Sequence, residues 1–221
     1  MRMNYIRKFA KLINDWVITL ANIKIIESLN YYLLKNKNQI DQAASYGAYH
    51  HNNVNKFIHI VFVPAILYTA FVMLSFVNVP QAVPYLQQLN QITTFLPVSI
   101  TTPIALLISL YYCVLDIRVG VVGLAWIMAA NYLAEYTILH MSNAFMFALG
   151  VHIVSWVLQF VGHGVFEGRR PALVDNIFQV FIAPFFVTLE CIFLLGLMGK
   201  TQVAVEKRII SNIASMSKKT K

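Results

Sequence analysis

Histidine, asparagine, glutamine and glutamate gather in two short stretches of this chain. The first runs from Tyr49 to His59 and contains His50, Asn55 and His59; the second runs from His152 to Pro171 and contains His152, Gln159, His163 and Glu167. Imidazole is the commonest protein ligand for a redox metal. Each stretch lies at the rim of a strongly apolar segment, where a polar cluster costs free energy unless it serves a function. The combination points to a metalloenzyme embedded in a membrane, with His50, His59, His152 and His163 as metal ligands. Nothing comparable reinforces His51 or His140.

Spacing constrains how these side chains meet. On one helix Asn55 and His59 share a face, whereas His50 points the opposite way. Asn52, Asn53 and Asn55 favour caps and turns, so a helix starting near Asn53 would let His50 fold back beside His59. In the second stretch His152, Trp156, Gln159 and His163 keep to one helical face. His152 and His163 are nevertheless ~16 Å apart along a straight helix, too far for a single ion. Three solutions stay open: Gly162 and Gly164 release the helix so that His163 curls back, two ions bind, or one imidazole supports the site without touching metal. Glu167, four residues past His163, can add a carboxylate ligand or orient an imidazole. Arg169 and Arg170 suit either membrane-edge anchoring or a grip on a substrate carboxylate.

The elements that must carry these groups are helices in lipid. Of 221 residues, 58% are hydrophobic and 12% charged, about half the charge fraction of a soluble domain, and mean hydropathy is +0.64. Five apolar segments, 57–77, 98–115, 119–139, 143–161 and 177–198, approach the ~20 residues needed to cross a bilayer. The net charge of +8 arises mainly at the ends, with Arg118, Arg169 and Arg170 the only Lys/Arg residues between Phe57 and Gly199. That pattern is a topology signal and contacts headgroups; it lacks the folded basic face of a nucleic-acid binder. Cys113 and Cys191 lie in apolar runs and are expected to be free thiols. Residues 12–34 carry an amphipathic helical pattern.

The expected fold is therefore all-α: a polytopic bundle of about four spans, an N-terminal amphipathic helix, and a bent or re-entrant C-terminal segment. Pro184 and Glu190 in residues 177–198 motivate that last feature, a pair of half-helices returning the basic tail to its starting side. Residues 1–48 are expected to form a cytosolic or amphipathic arm, 49–199 the catalytic domain and 200–221 a basic tail. The charge pattern places both termini with His50, His59 and His163 on the cytoplasmic side, His152 deeper in a span, and the uncharged 78–97 connection opposite.

At these residues the sequence resembles the small membrane 2-hydroxy fatty acid dioxygenases, the Mpo-like family. One pattern is Tyr49-His50, Asn55, His59 and Pro64; the other is His152, Trp156, Gln159, His163, Glu167 and Arg170-Pro171-Ala172. The resemblance implies an Fe(2+) enzyme that uses O2 to shorten a 2-hydroxy long-chain fatty acid by one carbon, as in the α-oxidation of sphingoid base breakdown. It implies metal ligation by the four histidines and catalytic roles for Asn55, Gln159 and Glu167; Arg169 and Arg170, by their position just past His163, are the substrate-binding candidates. The membrane would be endoplasmic reticulum in a eukaryote or inner membrane in a bacterium. The rival readings are a membrane haem- or metal-binding protein, whose ligands would come from different spans, and a transporter, for which internal repeats are lacking. The clustered histidine boxes of lipid hydroxylases and desaturases are absent.

Overall fold

The structure is a computed structural model that describes residues 39–76, 99–171 and 179–219. The 12–34 pattern and the 78–97 connection lie outside these residues. Among the described residues there are seven α-helices, one π-helical turn and no strand: α1 (Gln39–Gly47), α2 (Asn53–Ser75), α3 (Thr101–Leu115), α4 (Ile117–His140), α5 (Ala144–Val161), the π turn (Gly162–Glu167), α6 (Gln179–Leu194) and α7 (Gly199–Lys219).

Three elements are long and apolar enough to cross a bilayer: α2, α4, and α5 continued through the π turn. The apolar helices α3 and α6 are shorter. Large apolar side chains such as Leu107, Val114, Leu139, Met146 and Val165 face outward, as contact with hydrocarbon requires. Inside, helices are joined by polar pairs. Thr101 donates to Asn131 (2.6 Å), Ser75 to Glu135 (2.8 Å) and the Trp126 indole to Thr188 (2.9 Å). Such bonds hold helices together where lipid offers no hydrophobic drive between them.

Helices α3 and α4 form a hairpin turned by Asp116 alone. Its extended backbone ends one helix, and its carboxylate caps the next by accepting from the N–H groups of Arg118 and Val119. Close approach after so short a turn needs Gly120, because a Cβ there would strike the backbone of Cys113.

The expected break at Pro184 does not occur. Residues 179–194 form one continuous helix through that proline. Pro184 lies inside the helix and forfeits one backbone bond, a loss the surrounding helices accommodate. The chain turns instead at 195–198, where Gly196 and Met198 adopt positive φ. Eleven of the sixteen α6 residues are buried, and Glu190 meets Lys56 of α2 at 3.4 Å, which offsets the cost of a carboxylate in an apolar helix.

Helix α1, which composition places in the arm, belongs to the body that carries the histidines. Ala43 and Ala44 of α1 share a core cluster with Val205 and Ile209 of α7, and Asp41 pairs with Arg208 at 2.8 Å.

Candidate metal centre

The connection between α1 and α2 presents His50, and every backbone donor from Ala48 to Lys56 except Asn53 has a defined acceptor. Ala48, Tyr49 and His50 close the end of α1 by donating to Ala44, Tyr46 and Gly47. His51 and Asn52 donate to the two carboxylate oxygens of Glu167, at 3.1 and 2.8 Å. Asn52 then caps α2, its side-chain oxygen accepting from Val54 and Asn55, and Lys56 donates to the Asn52 carbonyl. Helix entry at Asn53 brings His50 back beside His59, as the asparagine run predicts.

Each imidazole is oriented by its own backbone. His50 Nδ1 donates to the Tyr46 carbonyl at 2.8 Å, and His59 Nδ1 to the Asn55 carbonyl at 2.9 Å. A carbonyl can only accept, so both neutral rings carry their proton on Nδ1 and present a bare Nε2. These two Nε2 atoms face each other at 3.1 Å. The Tyr46 ring stacks on His50, with centroids 3.9 Å apart and planes 3° from parallel.

His163 completes a triad. Its ring centroid is 4.6 Å from that of His50 and 5.0 Å from that of His59, and its buried Nδ1 has no hydrogen-bond partner. One nitrogen from each ring lies within 4.8 Å of the others. All three residues are buried, at 1%, 1% and 3% exposure. Burial pushes the His50 imidazole well below its usual pKa, and the neighbouring imidazoles reinforce this, so the ring stays neutral and available as a ligand. Two bare Nε2 lone pairs with a third buried imidazole beside them fit a divalent metal ion.

The helix reaches this arrangement by changing its winding. α5 passes into the π turn at Gly162, and left-handed Gly168 ends it, its N–H returning to the His163 carbonyl. Gly162 lies directly against the Asn55 side-chain oxygen, where a Cβ would clash.

His152 stands apart from the triad. Thr69 donates its hydroxyl proton to the Ala65 carbonyl at 2.8 Å and accepts from His152 Nδ1, also at 2.8 Å. His152 Nε2 accepts from the Trp156 indole at 3.0 Å. Both ring nitrogens are thus engaged between α2 and α5, and no lone pair remains for metal. Of the three solutions open from the sequence, the glycines alter the helix and one imidazole stays outside the cluster.

The other sequence-chosen residues divide as follows. Gln159 is buried, lines the cavity beside the triad, and has a partnerless Nε2. Asn55 Nδ2 donates to Tyr49 O and Glu167 Oε2. Glu167 holds the first stretch against the second rather than facing the triad. Arg169 donates to the Ala48 carbonyl at 2.8 Å and approaches Glu167 at 3.5 Å. Neither Arg169 nor exposed Arg170 lines the cavity. Sequence reasoning missed Tyr46, although its position one helical turn before His50 was the available signal, and Phe186, which packs against both rings.

The triad opens into an apolar cavity of about 240 Å³ walled by α2, α3, α5 and α6. Buried histidines at one end of an apolar groove, within a bundle containing bilayer-length helices, define a membrane protein with a candidate metal centre suited to an amphiphile. The chain belongs to the Mpo1-like family: the family's sequence pattern, described as 2-hydroxy-palmitic acid dioxygenase Mpo1-like, matches residues 37–195. The chain is similar to the 2-hydroxy-palmitic acid dioxygenase MPO1 of Saccharomyces cerevisiae, with 35% identity over 167 residues, or 75% of this chain and 86% of that protein. No solved structure matches it.

Proposed function

We propose that this protein is an Fe(2+)-dependent dioxygenase that shortens 2-hydroxy long-chain fatty acids by one carbon, the reading its family membership and its relative's activity support. The observation that carries it is the buried triad His50, His59 and His163 at the head of an apolar groove. The reaction balances without another cofactor: RCH(OH)COOH + O2 gives RCOOH + CO2 + H2O. The C1–C2 bond breaks, the carboxyl carbon leaves as CO2, and four electrons pass to O2.

His50, His59 and His163 would hold the iron, which supplies redox chemistry with O2 and open positions for a chelating substrate. Tyr46 and Asn55 fix the imidazoles through their carbonyls, and burial keeps His50 unprotonated. Gln159, a carboxamide with an unpaired N–H group in an apolar wall, is placed to donate to the polar head of the substrate. Glu167 maintains the spacing of the two stretches, and apolar walls exclude bulk water. The substrate enters from the bilayer with its head at the histidine end. The bilayer face bearing this end and both termini is the cytoplasmic one, in endoplasmic reticulum or a bacterial inner membrane.

The test is metal analysis of detergent-purified protein alongside O2 uptake with 2-hydroxyhexadecanoic acid. Stoichiometric iron, with one CO2 and one pentadecanoic acid formed per O2 consumed, is expected. A haem absorption band, or iron-loaded protein that leaves the acid intact, sinks the reading.

A further inference from the structure

The cavity continues well past the chemistry its histidines can perform. From His59 its α2 wall runs through Val63, Leu67 and Ala70 to Leu74, fifteen residues on and about 22 Å away at the α-helical rise. Ile104 of α3 and Trp156 of α5 face the same space. This length exceeds the roughly 15 Å depth of one hydrocarbon leaflet. An extended acyl chain would fit along it; a compact polar ligand would leave most of the wall uncovered.

The groove is braced toward its far end. The Trp156 indole is bonded to His152, and His152 to Thr69, the residue preceding Ala70. This relay ties α5 to α2 at the Ala70 level and gives His152 a role distinct from ligation. Ala70 is the smallest side chain among the α2 residues lining the groove. A larger residue there would block the deeper portion toward Leu74 and Ile104.

We propose that this groove measures the acyl chain of the substrate, with its methyl end toward Leu74, and that Ala70 sets the length accepted. The inference rests on the reading of the site as one for 2-hydroxy fatty acids. Each methylene buried contributes about fourfold to affinity, so affinity should climb with chain length until the groove is filled.

The full-length, metal-loaded protein in detergent would be titrated without O2, using unbranched 2-hydroxy acids from 2-hydroxydecanoic to 2-hydroxyoctadecanoic. Ala70→Phe should weaken 2-hydroxyhexadecanoic acid at least about tenfold while leaving 2-hydroxydecanoic acid within about twofold of the parent, with metal content unchanged. Leu74→Ala, at a partly exposed position that tolerates truncation, should move the optimum toward longer chains. It decides the matter if Ala70→Phe does not fold. Chain-length profiles in the folded variants that match the parent overturn the proposal. If the profiles shift as expected but no acid is turned over with O2, the groove stands and the dioxygenase reading fails.

Discussion

The Nε2 atoms of His50 and His59 face each other at 3.1 Å, and in the neutral rings neither can donate to the other. Their Nδ1–H groups are held by the carbonyls of Tyr46 and Asn55. Two opposed lone pairs in a buried site repel, and a cation between them turns that repulsion into ligation. Protonating one ring would also relieve it, but burial and the adjacent imidazoles oppose a charge on His50. The arrangement is therefore locally unfavourable unless metal is bound, and metal binding should stabilise the fold.

Removing the metal tests this directly. Chelation should lower the thermal midpoint, and alanine at His50, His59 or His163 should abolish stoichiometric metal. His152→Ala should retain metal yet lose about 1–3 kcal/mol, because the Trp156 indole is left without its acceptor. His51→Ala should resemble the parent. Elemental analysis and thermal unfolding of the same preparations distinguish these outcomes; metal loss in His152→Ala would return that residue to the ligand set.

Glu167 lies 116 residues from His51 in sequence, yet its carboxylate receives the backbone N–H groups of His51 and Asn52 and the side chain of Asn55. Glu167→Ala strips the acceptors from a turn in which His51 is exposed and Asn52 half-buried. It should cost about 1–3 kcal/mol and weaken metal affinity about 10- to 100-fold. Glu167→Gln, which keeps one oxygen, should fall between that variant and the parent. Unchanged metal affinity in a folded Glu167→Ala protein would refute the clamp.

Much of this was legible in the sequence, and the misses have physical causes. Apolar runs locate five helices to within a few residues, because bilayer length and backbone satisfaction leave little choice. The asparagines at 52, 53 and 55 place the α2 start, and hence the return of His50, through local capping. The place of His152 outside the cluster is not legible locally, because Thr69, the partner that occupies its Nδ1, lies 83 residues away. The same limit hid the use of Arg169 as a tie to Ala48. The continuity of α6 through Pro184 depends on packing around the helix, which the local sequence does not display.

Gly162 and Gly164 should behave differently despite their spacing. A methyl group on Gly162 meets the Asn55 side chain, whereas nothing lies within 4 Å of one placed on Gly164. Gly162→Ala is expected to cost about 1–3 kcal/mol through overpacking and to lower metal occupancy. Gly164→Ala should stay within about 0.5 kcal/mol of the parent. Equal stability of the two variants in denaturant titrations would show that the π turn accommodates the extra carbon.

The fold also makes a statement about sidedness. The turn holding Ser142 follows α4, at the opposite end of α5 from the histidines, whereas Ser215 lies on α7, the helix packed beside α1. Both serines are exposed. On a background lacking Cys113 and Cys191, Ser142→Cys and Ser215→Cys should react with an impermeant thiol reagent from opposite faces of sealed vesicles. Labelling of both from one face would overturn this arrangement.

Arg169 separates anchoring of the protein from binding of the substrate. Its guanidinium spans the Ala48 carbonyl and Glu167, joining the end of the π turn to the end of α1. Lysine retains the charge but not the planar fork that serves two acceptors. Arg169→Lys should therefore lower stability by about 0.5–1.5 kcal/mol and leave the KM for a 2-hydroxy acid within about twofold. A guanidinium that gripped the substrate carboxylate would instead lose about 1.5–3 kcal/mol of binding, a roughly ten- to hundredfold rise in KM with stability unchanged. Arg170→Lys, at an exposed position outside the cavity, should leave KM within about twofold of the parent. Steady-state kinetics and thermal unfolding of the two variants decide between the roles: a large KM change in either, without loss of stability, would assign that arginine to the substrate headgroup.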